Sequence, residues 1–402
     1  MKTRPKKTRH SSRNQGKSIR VALVVPHVFI NRDLLPRVIF SPGHLALKLA
    51  EGLGEFGVDV TLFTPGPADT KLPNINADMS YFEKELMGRG YGYMELLKKH
   101  PATFVALARQ VQAELMAKVY EVANDGDFDV VHVYTNEEDI AMVFADFCQK
   151  PVLFTHHDPF NFLIKYKSVM PKYKYLSWIS MSQSQRLGMP EDTNWVANIH
   201  HGVDPDDYVP RFETDGETEE DYFAFVGRII EPKGVHLAIE AVKLYNKKNP
   251  EKKTRLRIAG KHYSDSSKDK YWSEVVEPCL GEEVEYVGFL QGKELNDFLA
   301  RARALVVPST FSEPFGMVTL EALASATPVI GLSVGATSEI IENGKTGFII
   351  MAEDEASRIG GIAEAMERVS EIDRRDCRRH FEQNFTLEKM IREHAELYKF
   401  YK

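Results

Sequence analysis

The sequence predicts an α/β protein of two doubly wound, Rossmann-like domains joined near residue 210. Short β-branched apolar runs alternate with helical stretches almost throughout the 402 residues, the pattern of βαβ units and parallel sheets. The runs are nearly continuous in apolar residues rather than alternating, as strands covered on both faces are. The chain is long enough for two or three cores. An acidic stretch interrupted by Pro and Gly, PDDYVPRFETDGETEED at 205–221, lies between two sets of such runs.

The first set reads as strands at RVALVVP (20–26), VDVTLFTP (58–65), DVVHVY (129–134), PVLFTHH (151–157) and NWVANIH (194–200). The helix after the first strand starts near Ser41-Pro42-Gly43, because Ser at a cap and Pro in the first turn are start signals. Residues 77–124 break the strict alternation with two long helical patterns, around 81–98 and 103–123. These form an insertion that either gathers a partner or covers a sheet edge. The second set follows at YFAFVG (222–227), RLRIAG (255–260), VEYVGF (284–289), ALVVPS (304–309) and PVIGLS (328–333). At the end, Leu387, Met390, Ile391, His394, Leu397, Tyr398 and Tyr401 recur at helical spacing, so one face of a last helix must dock on something. The domains expected are therefore 21–210 and 211–385, with 386–402 as a closing helix.

Hydrophobic content of 43% and charged content of 27% are ordinary for a globular protein. No run approaches the roughly 20 apolar residues that cross a bilayer, and no secretory apolar core is visible, so the expected compartment is the cytoplasm. Cys148, Cys279 and Cys377 are far apart and read as reduced thiols. The formal charge is −7, although residues 1–20 hold eight Lys/Arg and no acid. That tail is expected to be disordered. It could attract anionic lipid at an inner membrane face or nucleic acid, or simply be solvated; no nucleic-acid partner is expected.

Gly52, Gly54 and Gly57 spell G-x-G-x-x-G, the dinucleotide fingerprint. That spelling has meaning only where a strand ends and a helix begins. Here the helix precedes the triplet and a strand follows it. The dipole at a helix C-terminus is negative and its spare groups are carbonyls, which repel phosphate. The triplet is read as a helix stop.

Better anion sites lie elsewhere. Gly43 stands at a helix N-terminus, where a missing side chain would let phosphate approach the amides; it could equally be a glycine tolerated near a cap. In FVGRIIEPKGV (225–235), Arg228 and Lys233 flank the end of a strand and the start of a helix. Two cations there can neutralise a diphosphate, or be solvated surface charges. In PSTFSEPFGMVTLEALASATPVI (308–330), Glu313 and Glu321 bracket Pro314-Phe315-Gly316, and a helix starts near Met317 or Val318. The amides of Phe315, Gly316, Met317 and Val318 are then free for an anion or sugar hydroxyls. Glu321 near that helix end could accept two adjacent sugar hydroxyls, or serve only as a favourable dipole charge.

Residues 222–350 resemble the donor half of a family 4 retaining glycosyltransferase of the two-domain GT-B fold. FVGRIIEPKG, LRIAG, VEYVGFL, the Glu313–Glu321 segment and GATSEIIENGKTGFII occur in the family's order. The first half fits more loosely through SPGHLALKLAEGL, DVVHVY, FTHH and NIHHGVD. The resemblance implies a hexosyl transfer from a nucleotide-diphosphate sugar, a UDP-sugar or GDP-mannose, to a glycan or lipid acceptor, without cofactor or metal. It assigns Arg228 and Lys233 to the donor diphosphate, Glu321 to the ribose and Glu313 to the donor sugar. The amides of residues 315–318 would hold sugar and phosphate. His157 would lie near the anomeric carbon, Gly43 in the first-domain glycine loop and Leu290 near the base. The last helix would cross back onto the first domain. Ser-Pro-Gly stands where many members have paired glycines, and His201 precedes Gly202 where Asn is common.

That chemistry suits the residues. Fixed cations and helix-end amides stabilise a leaving diphosphate, and no carboxylate pair is placed as in glycosidases. The family reaction is same-face substitution, with the donor phosphate helping to take the acceptor's proton and domain closure excluding water. Two alternatives stand beside it. One is a nucleotide-sugar binder without turnover, against which the four charged residues argue. The other is a metal-dependent hydrolase built from His156, His157, Asp158, His200 and His201, a poor chelate because adjacent strand residues face opposite ways.

Overall fold

The computed structural model describes residues 18–35, 38, 40–212, 222–262 and 269–402. Most of the predicted tail (1–17) and residues 213–221 of the predicted junction lie outside the described residues. Arg20, the last basic residue of the 1–20 stretch, lies in the first strand, as the run at 20–26 predicts, and pairs with Asp129 at 2.9 Å.

The first domain is a seven-stranded parallel sheet in the order β3-β2-β1-β4-β5-β6-β7. Its strands are β1 (Ile19–Val24), β2 (Val58–Thr64), β3 (Asn74–Asn76), β4 (Val130–Tyr134), β5 (Val152–Thr155), β6 (Ser177–Ser180) and β7 (Trp195–Asn198). The second domain is a six-stranded parallel sheet in the order β10-β9-β8-β11-β12-β13. It contains β8 (Tyr222–Val226), β9 (Arg255–Ala259), β10 (Val284–Gly288), β11 (Leu305–Val307), β12 (Val329–Leu332) and β13 (Gly347–Ile350). Both orders reverse direction beside their first strand. Crevices therefore open at the carboxyl ends of β1 and β4, and of β8 and β11, where doubly wound folds bind ligands.

Helix α1 (Ser41–Gly52) follows β1. Phe40, not Ser41, is its cap residue, and no side chain caps it, so the expected Ser cap is corrected; Pro42 does lie in the first turn. A short 3-10 turn, Leu53–Phe56, ends at Gly57, whose φ of 78° is left-handed. The glycine triplet thus stops the helix, since a glycine enters that conformation without a Cβ clash.

The insertion comprises α2 (Ser80–Arg89), α3 (Tyr93–Lys99) and α4 (Pro101–Asn124). The single helix expected around 81–98 is broken at Gly90, where φ is 65°. Nor does the insertion merely cover an edge. Leu115, Met116 and Val119 of α4 pack on Ala22, Val24, Val131 and Val133, a face of the sheet. The other half of α4 joins Phe82, Leu86, Leu96 and Val28 in a satellite core.

Helices α5 (Asp139–Phe144) and α6 (Ile164–Val169) complete that side of the first domain. In the second domain, α7 (Val235–Lys248), α8 (Gly292–Arg301), α9 (Met317–Ala324), α10 (Thr337–Ile340), α11 (Glu355–Arg368) and α12 (Arg374–Asn384) surround a single apolar core. The last helix, α13 (Leu387–Phe400), returns to the first domain, where Met390, Ile391, Ala395 and Tyr398 are buried against Leu49, Val21 and Tyr134. Gly52 permits this docking, because a Cβ there would lie 2.3 Å from Ile391. The chain crosses between domains twice, and the crossings bond to each other: Val203 N–H donates to Phe385 O, and Leu387 N–H to Val203 O.

Candidate active site

A cavity of about 700 Å³ opens between the domains at the carboxyl ends of the second sheet. From the second domain it is lined by Arg228, Lys261, Leu290, Met317, Val318 and Glu321, and from the first by Phe40, Ser41 and His44. Arg228 follows β8 and is exposed to the cavity. Gly260 follows β9; a Cβ there would lie 1.8 Å from Gly227 O, so glycine lets these two strand ends meet. Another concavity, of about 750 Å³, lies at the opposite ends of β9 and β10 and contains none of the residues predicted to act.

Helix α9 begins at the cavity. Its cap is Gly316 with φ 101°, a left-handed conformation open to glycine. Among the described residues, the amides of Phe315, Gly316, Met317 and Val318 have no backbone or side-chain acceptor, while Thr319 N–H is already bonded to Gly316 O. Four free amides at a helix N-terminus attract an anion. Glu321 projects from the second turn of α9, and Tyr208 O–H donates to its Oε1 at 3.3 Å. Burial pushes the Glu321 carboxyl up, partly opposed by that hydrogen bond.

Lys233 and Glu313 lie beside this cavity rather than in its lining, and bond to each other at 2.7 Å. Each is mostly buried, which strengthens the pair beyond a surface contact. A Lys233 that reached a diphosphate would have to share or release Glu313.

The first domain supplies neutral groups. His157 N–H donates to Asn136 Oδ1 at 3.0 Å, holding the turn after β5. Its ring lies between Tyr134, 4.6 Å away and edge-on, and His201, 5.0 Å away and stacked. His201 in turn meets Phe315 of the second domain at 5.1 Å. Burial, then His201 and His156, hold His157 well below the usual histidine range, so it is neutral near pH 7. His156 turns the other way, against Phe160 and Tyr166, and pairs with buried Glu138 at 2.5 Å. Among the described residues, no three His, Cys, Asp or Glu side chains are grouped to hold a metal ion.

Gly43 does not line the cavity. Its N–H donates to Phe40 O, and the Phe40 ring lies 2.5 Å from where a Cβ would be, filling the space that a phosphate was expected to use. His44, one residue on, reaches the cavity in its place. The structure thus brings Arg228, Leu290, Met317, Val318 and Glu321 together, sets Phe315 with His157 through His201, and leaves Lys233–Glu313 as an adjoining pair. Sequence reasoning missed Tyr208, Lys261 and His44. Lys261 directly follows a motif already noted, whereas Tyr208 is 113 residues from its partner.

The domains touch beyond the cavity. Glu339 of α10 accepts from the amides of Gln183 and Ser184, both at 2.7 Å. Ser182 O–H donates to Pro314 O at 2.6 Å.

Residues 210–384 match the sequence model of the family described as Glycosyl transferases group 1. The chain is 35% identical to a glycogen synthase of Mycobacterium tuberculosis over 145 residues, 36% of this chain and 33% of that protein. It therefore spans about a third of that relative's length. Similarity to an uncharacterized glycosyltransferase of Methanocaldococcus jannaschii is 25% identity over 359 residues, 81% of this chain and 85% of that one. An Anabaena protein solved in complex with UDP and glucose superposes with a TM-score of 0.64 at 16% identity, covering 94% of this chain and 98% of that one. At that identity the likeness shows the fold: two Rossmann-like domains in the GT-B arrangement.

Proposed function

We propose that this chain, whose residues 210–384 form a group 1 glycosyl transferase domain, is a retaining hexosyltransferase of the family 4 type. It takes a nucleotide-diphosphate sugar, a UDP-sugar or GDP-mannose, as donor and a glycan or lipid as acceptor. One observation carries this reading: Arg228, the free amides of α9 and the Glu321 carboxylate converge on one cavity between two domains. A diphosphate needs fixed positive charge and N–H donors, and a ribose diol needs a carboxylate acceptor; all three are present at matching ends of one site.

In this reading Leu290 packs on the base, Glu321 accepts from the ribose, and Arg228 with the α9 amides holds the diphosphate. Donor binding draws Lys233 toward the phosphate while Glu313 turns to the sugar hydroxyls. Neutral His157 faces the sugar near the anomeric carbon, where it donates a hydrogen bond without adding positive charge beside an oxocarbenium-like centre. Two first-domain carboxylates are committed elsewhere: Glu138 to His156, and Asp158 to Asn136 and Tyr166. The leaving phosphate then takes the acceptor's proton on the same face. Arg228 and Lys233 supply the charge that a metal ion supplies in other transferases, so EDTA should leave turnover unchanged.

A thermal-shift panel of UDP-, GDP- and ADP-sugars, followed by turnover with the best binder, tests this. One nucleotide class should raise the melting temperature, and Glu321→Ala should remove most of that rise. No stabilisation by any nucleotide, or full stabilisation of Glu321→Ala, overturns the assignment. Stabilisation without turnover over a broad acceptor panel favours the binder that does not catalyse.

A further inference from the structure

We infer, on the basis of the proposed ribose role of Glu321, that Tyr208 is a positioning residue for that carboxylate and sets a preference for ribose over deoxyribose. Tyr208 lies on the segment that crosses between the domains and lines the same cavity as Glu321. Its O–H donates to Glu321 Oε1 at 3.3 Å. Among the described residues no other side chain bonds to this carboxylate, and no cation is paired with it. Buried carboxylates are usually fixed by an ion pair; here one neutral hydroxyl gives the orientation. The same bond opposes the burial that pushes the Glu321 carboxyl up, and so favours the ionised form that accepts from a diol.

Two hydrogen-bonded routes tie Tyr208 to α9. Arg378 of α12 donates from Nη1 to Tyr208 O at 3.1 Å and to O of Ala324, the last residue of α9, at 2.6 Å. Its Nη2 reaches Pro205 O at 3.2 Å. On the other side, Val209 N–H donates to Oδ1 of buried Asn296 at 3.2 Å. Asn296 Nδ2 donates to Ser325 Oγ at 3.0 Å, and Ser325 O–H donates to the carbonyl of Glu321 itself at 2.8 Å. The backbone around the phenol is therefore fixed to the helix that carries the carboxylate, and Glu321 is oriented before a donor arrives.

Orientation matters because a ribose offers two adjacent hydroxyls. A carboxylate grips a 2′,3′-diol with two bonds only when its plane is fixed, whereas a rotating one still follows a single hydroxyl. Each carboxylate oxygen accepts more than one hydrogen bond, so Oε1 stays usable beside Tyr208. Loss of the phenol O–H should weaken the hold on ribose more than the hold on 2′-deoxyribose.

Calorimetric titration of the full chain with UDP, GDP and their 2′-deoxy counterparts tests this. Wild type should bind the ribonucleotide of one class about tenfold more tightly than its deoxy form, and Glu321→Ala should bind the two alike. Tyr208→Phe keeps the ring and its packing; it should weaken the ribonucleotide about fivefold and leave the deoxynucleotide within about twofold. The unchanged deoxynucleotide affinity also shows that the site is folded. In turnover the same variant should raise donor KM and leave kcat near wild type. Tyr208→Phe that keeps the full ribose preference, or weakens both forms equally, overturns the inference and leaves the role of Glu321 standing. Wild type that binds neither nucleotide, or binds ribose and deoxyribose forms alike, overturns both.

Discussion

The two walls of the cleft are built from different chemistry. The second domain offers charge and free backbone: Arg228, Lys261, Glu321, the Lys233–Glu313 pair and four amides at the start of α9. The first domain offers rings kept neutral by burial: His157, His201 and Tyr134. A charged wall can hold a ligand that is charged before and after reaction. A neutral wall can line the centre where positive charge appears only transiently. The contrast assigns affinity to one domain and rate to the other, and each substitution below tests that division.

Arg228→Ala should have the largest effect, lowering kcat/KM by about 100- to 1,000-fold through loss of a fixed charge at the proposed diphosphate site. Steady-state kinetics and donor titration should both register it. His157→Ala should lower kcat by about 100-fold while donor affinity, measured by calorimetry, stays within about threefold. Equal losses in donor affinity from both variants would erase the proposed division. Glu321→Gln keeps one acceptor but loses the charge, and should raise donor KM about tenfold with kcat little changed.

Stability should follow the neutral wall. Burial brings His201 down to about 3 and His394 down to about 4, from an ordinary 6.5. The folded pKa values lie below the unfolded one, so the unfolded chain takes up protons first as pH falls. The stability is complete above pH 6.5 and declines toward pH 4, at most about 1.4 kcal/mol per pH unit for each histidine. Urea melts across that range should show it, and a flat profile would mean that these rings are solvated. Tyr398→Phe should cost least, about 1 kcal/mol, by removing the hydroxyl that meets His132 Nδ1 at 2.6 Å.

The same division governed what could be read from the sequence. Strands such as VALVV and YFAFV announce themselves by continuous apolar, β-branched residues, and the parallel orders follow from their alternation with helices. The short β6, Ser177–Ser180, has polar ends, and β3, Asn74–Asn76, is mostly asparagine; neither has a hydrophobic run to see. The charged wall, Lys261 apart, was legible because its groups lie within a few residues of a strand end or helix start. The neutral wall was legible only in part: His157 was named through the family resemblance, but its contacts join distant segments, His157 to His201 and His201 to Phe315, as does that of Tyr208 with Glu321 on the charged side. Gly43 shows the limit from the other side. Its spacing suggested an open phosphate loop, but a ring three residues earlier in the chain occupies the space.

The return of α13 to the first domain has a consequence for biosynthesis. His132, in the middle of the first sheet, bonds to Tyr398, 266 residues later. The domain that leaves the ribosome first is thus completed by residues made only after the whole second domain has been synthesised. Until then the groove that receives Met390, Ile391 and Tyr398 stays open, and a nascent chain exposes apolar surface beside a finished neighbour. Vectorial synthesis should therefore make this protein dependent on chaperones in proportion to that delay, and a stalled chain ending before residue 387 should be protease-sensitive in its first domain while the second resists.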